Sequence, residues 1–242
     1  MKSGNPVLRT DTFDAVPAGE RMTINGTINK TAMMLALVVI TAIYTWGRFT
    51  TAHDPAAIQT LVMVGAIGGL VMALVTVFKT EWVAVTAPIY ALLEGFVVGG
   101  LSAIFEVKYP GIVVQAVGLT FGVMAAMLLA YRSGLIQATE KFKIGVFAAT
   151  GGIALLYLVS MVMSMFGKPI GFIHEGGTFG ILFSLFVVVI AALNLVLDFD
   201  LIRQGAAQGA PKRMEWYGAF ALTVTLVWLY LEILRLLGKM RK

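Results

Sequence analysis

Four carboxylates stand in or beside long apolar runs, and their spacing decides what chemistry they can do. Asp198 and Asp200 follow the run that ends in Asn194-Leu195-Val196-Leu197, Glu232 lies inside Trp216–Leu237, and Glu94 lies midway along Trp82–Phe105. An acid in hydrocarbon is costly, so it needs a partner or a task. On a helix, Asp198 and Asp200 are roughly 200° apart and cannot share a face. Asn194, one turn before Asp198, puts Asp198 on the inward face, while Asp200 points toward Arg203, Gln204 and the basic rim. If Asp198 and Glu232 met, they would share one proton, because two touching carboxylates cannot both ionise cheaply. Such a pair senses pH without any histidine.

Each of these residues also has a plainer role open to it. Asp198 and Asp200 fit solvated positions near a helix end. Glu232 fits a local pair with Arg235, one turn on, unless Arg235 snorkels outward and leaves Glu232 to the bundle. Glu94 fits a hydrogen bond to a neighbouring helix. Lys79 closes an apolar run and fits an interfacial anchor. An intramembrane aspartyl protease would also use two acids on adjacent helices, but it needs Gly-x-Gly-Asp, and Asp198 follows Leu-Val-Leu. The chain is therefore not expected to be an enzyme, and no cofactor is expected.

The elements that must hold these residues are spans. The chain has 242 residues, of which 59% are hydrophobic and 13% charged, and its mean hydropathy is +0.88. A soluble domain of this length is nearer half apolar and a quarter charged. The excess falls in runs of roughly 20 residues, enough for a helix to cross a hydrocarbon core. The runs do not alternate in polarity, which excludes a membrane β-barrel. The pattern predicts an all-α polytopic protein with seven transmembrane helices over 31–46, 56–78, 82–105, 111–131, 144–166, 177–197 and 216–237. Residues 1–30, with Pro6, Pro17, Gly19 and Gly26, are expected to be a mobile polar tail ahead of a single seven-helix domain over 31–242.

There are no cysteines, so disulfide and thiolate chemistry are excluded. The net charge of +5 comes from tails and connections, which reads as topology and not as nucleic-acid binding. A cytoplasmic N-terminus puts eleven Lys and Arg on inner segments and three on outer loops, though four at the C-terminus count against it. Small residues recur every fourth position at Gly65-Gly69-Ala73, Ala91-Gly95-Gly99-Ala103 and Gly118-Gly122-Ala126-Ala130, which lets helices approach closely in lipid. His53 and His174 fall in outer loops and are expected at the surface.

Three stretches carry a family resemblance. Leu197-Asp198-Phe199-Asp200-Leu201-Ile202, Leu229-Tyr230-Leu231-Glu232-Ile233-Leu234 and Pro88–Ser102, with Glu94-Gly95 and Gly99-Gly100-Leu101-Ser102, resemble motifs of the Bax inhibitor family, also called the transmembrane Bax inhibitor motif proteins. The resemblance covers 31–238 and is to a bacterial form with an N-terminal extension. It implies a central C-terminal helix wrapped by two three-helix layers, in a bacterial cytoplasmic membrane. It also implies a pH-sensitive calcium leak whose paired acids fall on Asp198 and Glu232, with Lys79 nearest the position of a basic latch.

Calcium and protons would be the permeant and gating ions. Transient calcium contacts at Asp198, Glu232 and Glu94, with Asp200, suit passage better than storage, because calcium prefers six to eight oxygens. The alternative is a non-conducting regulator that binds a membrane protease or another membrane partner, using residues 1–30. The long connection after Asp198 bears on the pair. If the last helix began at Trp216, Glu232 would lie about 24 Å along it, deep for a partner near the inner end of the sixth span.

Overall fold

The computed structural model describes residues 21–167 and 177–241. The apolar runs become seven α-helices: α1 Ile24–Ala52, α2 Ala56–Phe78, α3 Val83–Lys108, α4 Ile112–Arg132, α5 Glu140–Met165, α6 Thr178–Ala207 and α7 Met214–Met240. All seven are long and apolar enough to span a membrane, and the described residues form no strand. Expectations for 1–20, Lys168 and His174 fall outside the described residues. His53 is exposed and ends α1 in the left-handed region, at φ 53°.

The last helix is the core. Its buried residues include the consecutive run Gly218, Ala219, Phe220 and the run Thr225, Leu226, Val227. Three neighbours in a row cover most of a helix's circumference, so α7 is enclosed on all sides. On one flank α1 and α3 pack against it through Met34, Val38, Ala87, Tyr90, Phe220 and Val227. On the other, α4 and α6 pack through Ile112, Ala116, Leu195, Leu222, Leu226 and Leu229. Outside these, α2 leans on α3 and α5 on α6. Two three-helix layers thus wrap one central helix.

Small-residue stripes set the tightest contacts. A side chain at Gly95 would overlap Thr41 and the Val38 carbonyl, and one at Gly99 would come within 2.6 Å of the Ala42 Cα. A Cβ at Gly65 would lie 2.6 Å from the Leu93 carbonyl oxygen. These two stripes seat α3 on α1 and α2. The third expected stripe does not pack: nothing lies within 4 Å of a Cβ at Gly118 or Gly122, and both residues are exposed.

Among the boundaries that differ from expectation, two bear on the site. The first helix starts at Ile24, so 24–30 is helical and not tail. Thr23 caps it, its hydroxyl accepting the Gly26 amide at 2.9 Å. Gly26, expected to discourage a helix, instead leaves room there for the Glu215 carboxylate, which a Cβ would overlap. The sixth helix runs on to Ala207, ten residues beyond its apolar run. Its final turns are polar and lie past the hydrophobic stretch that marks a span.

Candidate functional site

The long sixth helix decides where the acids go. From Asp198 to Ala207 is about 14 Å of helix, and only Gln208–Arg213 separates α6 from α7. Antiparallel neighbours joined this closely match equal depths. Thr225 lies about 16 Å from the start of α7, whereas Glu232 lies about 27 Å from it. Accordingly Asp198 faces Thr225, and its Oδ2 is buried with no hydrogen-bond partner among the described residues. The expected Asp198–Glu232 pair does not form, because Glu232 sits two turns too far along.

Glu232 is held elsewhere. It is 2% exposed and accepts the Tyr157 hydroxyl at 3.0 and 3.1 Å. Arg235 donates to it at 2.7 Å and to the Tyr157 oxygen at 2.8 Å. Arg235 therefore does not snorkel away; it neutralises Glu232 locally, with its guanidinium 5.2 Å from the Tyr157 ring centre. The plainer of the two readings of Glu232 holds.

Asp200 is not on a solvated rim. It is 4% exposed and takes Tyr131 at 3.0 Å, Lys143 at 3.1 Å, Arg203 at 3.5 Å and the Gln204 amide. It ties α4, α5 and α6 together at one end of the bundle. Asn194 donates to Thr150 at 2.8 Å and to the Ile190 carbonyl at 2.9 Å, joining α6 to α5. Lys79 is exposed at the end of α2 and forms no ion pair with any of these acids among the described residues. It latches nothing in this conformation.

Glu94 faces α2, where a Cβ on Gly69 would lie 3.2 Å from its Oε2. The acids thus occupy separate seams: Glu94 against α2, Asp198 against α7, Glu232 against α5. No group of three or more Asp, Glu or His side chains among the described residues could hold a metal. The calcium contacts expected jointly from Asp198, Glu232 and Glu94 are not assembled.

The Bax inhibitor 1 like family model matches residues 5–242. The chain belongs to the Bax inhibitor 1 like family. No curated protein matches the chain in sequence. It is an integral membrane protein by its seven apolar helices and this membership.

Some polar contacts of this family member were not anticipated from sequence. Glu215, 1% exposed, accepts the backbone and hydroxyl of Thr23, each at 2.9 Å, and pairs with Lys30. A carboxylate at the start of α1 also meets the positive end of that helix. The signal was available only in part: Thr23 is a favoured capping residue ahead of the apolar run, and Glu215 opens the last span. Ser102 and Tyr230 share a buried hydrogen bond of 2.6 Å between α3 and α7. Lys239, 4% exposed, donates to the Ser184 hydroxyl at 2.8 Å and the Gly180 carbonyl at 3.0 Å.

Proposed function

We propose that this protein is a calcium-permeable leak whose opening is set by protonation of Asp198 alone, acting in the seam between α6 and α7. The observation that carries this reading is the buried, unpartnered Oδ2 of Asp198 beside Thr225. A neutral carboxyl tolerates such a seat, since its hydroxyl can bond Thr225 and its other oxygen loses little. An ionised one demands water or a cation, because an unpaired charge in a low dielectric is expensive. Deprotonation therefore favours a hydrated, cation-admitting seam, and acid closes it. Thr225 supplies a second oxygen at the same depth. Family membership supports the reading through the resemblance of its motifs, and Lys79 is given no latch role in it.

The test is calcium entry into liposomes containing the purified protein, followed by an entrapped dye from acidic to neutral pH. Flux rises with pH in the wild type, and Asp198→Asn flattens the dependence while Glu232→Gln keeps it. A wild type that passes no calcium at any pH overturns the leak and leaves the non-conducting regulator. An Asp198→Asn variant with the wild-type pH profile overturns the gate.

A further inference from the structure

Beside the Asp200 cluster, two cavities of opposite character share a wall. One, of about 600 Å³, is polar and lies under the α4–α5 turn, with Arg132, Lys143 and Arg203 around it. The other, of about 470 Å³, is an apolar cleft between α5 and α6, lined by Ile144, Phe147, Ala148, Leu197 and Leu201. Lys143, Asp200 and Gln204 belong to both. Nothing in the conduction pathway proposed above uses this place.

We propose that the two cavities together seat one anionic phospholipid, with its phosphate in the polar cavity and an acyl chain along the α5–α6 cleft. The charge balance argues for the head group. Three cations line the polar cavity against two acids, Asp200 and Glu140. Asp200 is already engaged by Tyr131, Gln204 and, at 3.5 Å, Arg203, and it holds Lys143 in place. Lys143 also reaches Glu140, at 3.2 Å. Arg132 has no ion pair among the described residues, and the Arg203 side chain is 66% exposed. The lining thus carries one positive charge in excess. An anionic lipid neutralises it; a zwitterionic lipid brings its own ammonium and restores it.

The cleft argues for a lipid over a soluble anion. Phe147 and Ile144 are 78% and 68% exposed on a helix that spans hydrocarbon. Basic pockets between transmembrane helices are suited to anionic head groups in this way.

The experiment uses a tryptophan reporter in the cleft. Full-length Phe147→Trp protein is placed in phosphatidylcholine bilayers that contain brominated phosphatidylglycerol or brominated phosphatidylcholine at equal fraction. The signal is quenching beyond that of the wild-type protein, which carries the native tryptophans. Quenching by the brominated anionic lipid exceeds that by the zwitterionic one, and excess inorganic phosphate leaves the excess unchanged. Adding Arg132→Gln, an exposed position without a partner, lowers the preference about fivefold, the effect of one basic residue near a charged lipid surface. Equal quenching by the two lipids overturns the proposal. So does displacement by free phosphate, which would make the cavity a soluble-anion site, or an Arg132→Gln preference equal to that of the parent.

Discussion

Gly26→Ala is the sharpest probe of how the two ends of the chain are joined. The new Cβ would land on the Glu215 carboxylate, so the carboxylate must leave Thr23 and Lys30. Those contacts are two hydrogen bonds of 2.9 Å and an ion pair. Breaking a buried pair on one side costs about 3–5 kcal/mol. The Lys30 side chain is 18% exposed and recovers some hydration, so the low end, about 3 kcal/mol, applies.

Alanine gains up to about 1 kcal/mol over glycine within a helix. The net loss is then about 2 kcal/mol, or roughly 4–8 °C in melting temperature for a chain of this size. In a Glu215→Ala background the overlap is gone and only the helix gain remains, so the same substitution raises the melting temperature by up to roughly 2–4 °C. Thermal unfolding of the four proteins in detergent micelles measures both. A fall of equal size in the two backgrounds would refute the overlap as the cause.

Arg235→Met leaves the Glu232 carboxylate with Tyr157 alone and destabilises by about 3 kcal/mol; adding Glu232→Gln restores most of it, as chemical denaturation in micelles will show. Tyr230→Phe removes the Ser102 bond at a cost of about 1 kcal/mol, and adding Ser102→Ala costs no more, a double-mutant comparison readable from melting temperatures. Gly99→Leu drives α1 off α3 and abolishes a monodisperse elution peak, whereas Gly118→Leu, on the open face of α4, leaves the peak unchanged.

The spans were legible because hydrocarbon demands long apolar runs, and the centre of the bundle was legible through motif resemblance. Hydropathy ends the sixth span at Leu197, while hydrogen bonding does not: Asp200, Arg203 and Gln204 continue the helix and use its surface. A helix ending there would leave Glu232 about 24 Å along the last helix, too deep for Asp198, so the expected pair rests on the family resemblance and not on span lengths. The length of α6 instead puts Asp198 level with Thr225. The choice between Arg235 and Asp198 as the partner of Glu232 rested on side-chain direction, which residue spacing leaves open. The burial of Glu215 is not legible in the sequence, because it sits at the polar edge of a span, where acids are common and rarely buried. Lys79 stands at the end of α2, and nothing in its neighbourhood in sequence tells that the acids face other seams.

Thiol cross-linking tests the register of the last two helices most directly, since the chain has no cysteine of its own. Pairs are introduced as Asp198→Cys with Thr225→Cys, and as Asp198→Cys with Glu232→Cys, in membranes treated with a short thiol-to-thiol linker. The 198–225 pair joins and the 198–232 pair, offset by about 10 Å along α7, does not. Efficient joining of 198 to 232, with 198 to 225 left free, would contradict the account.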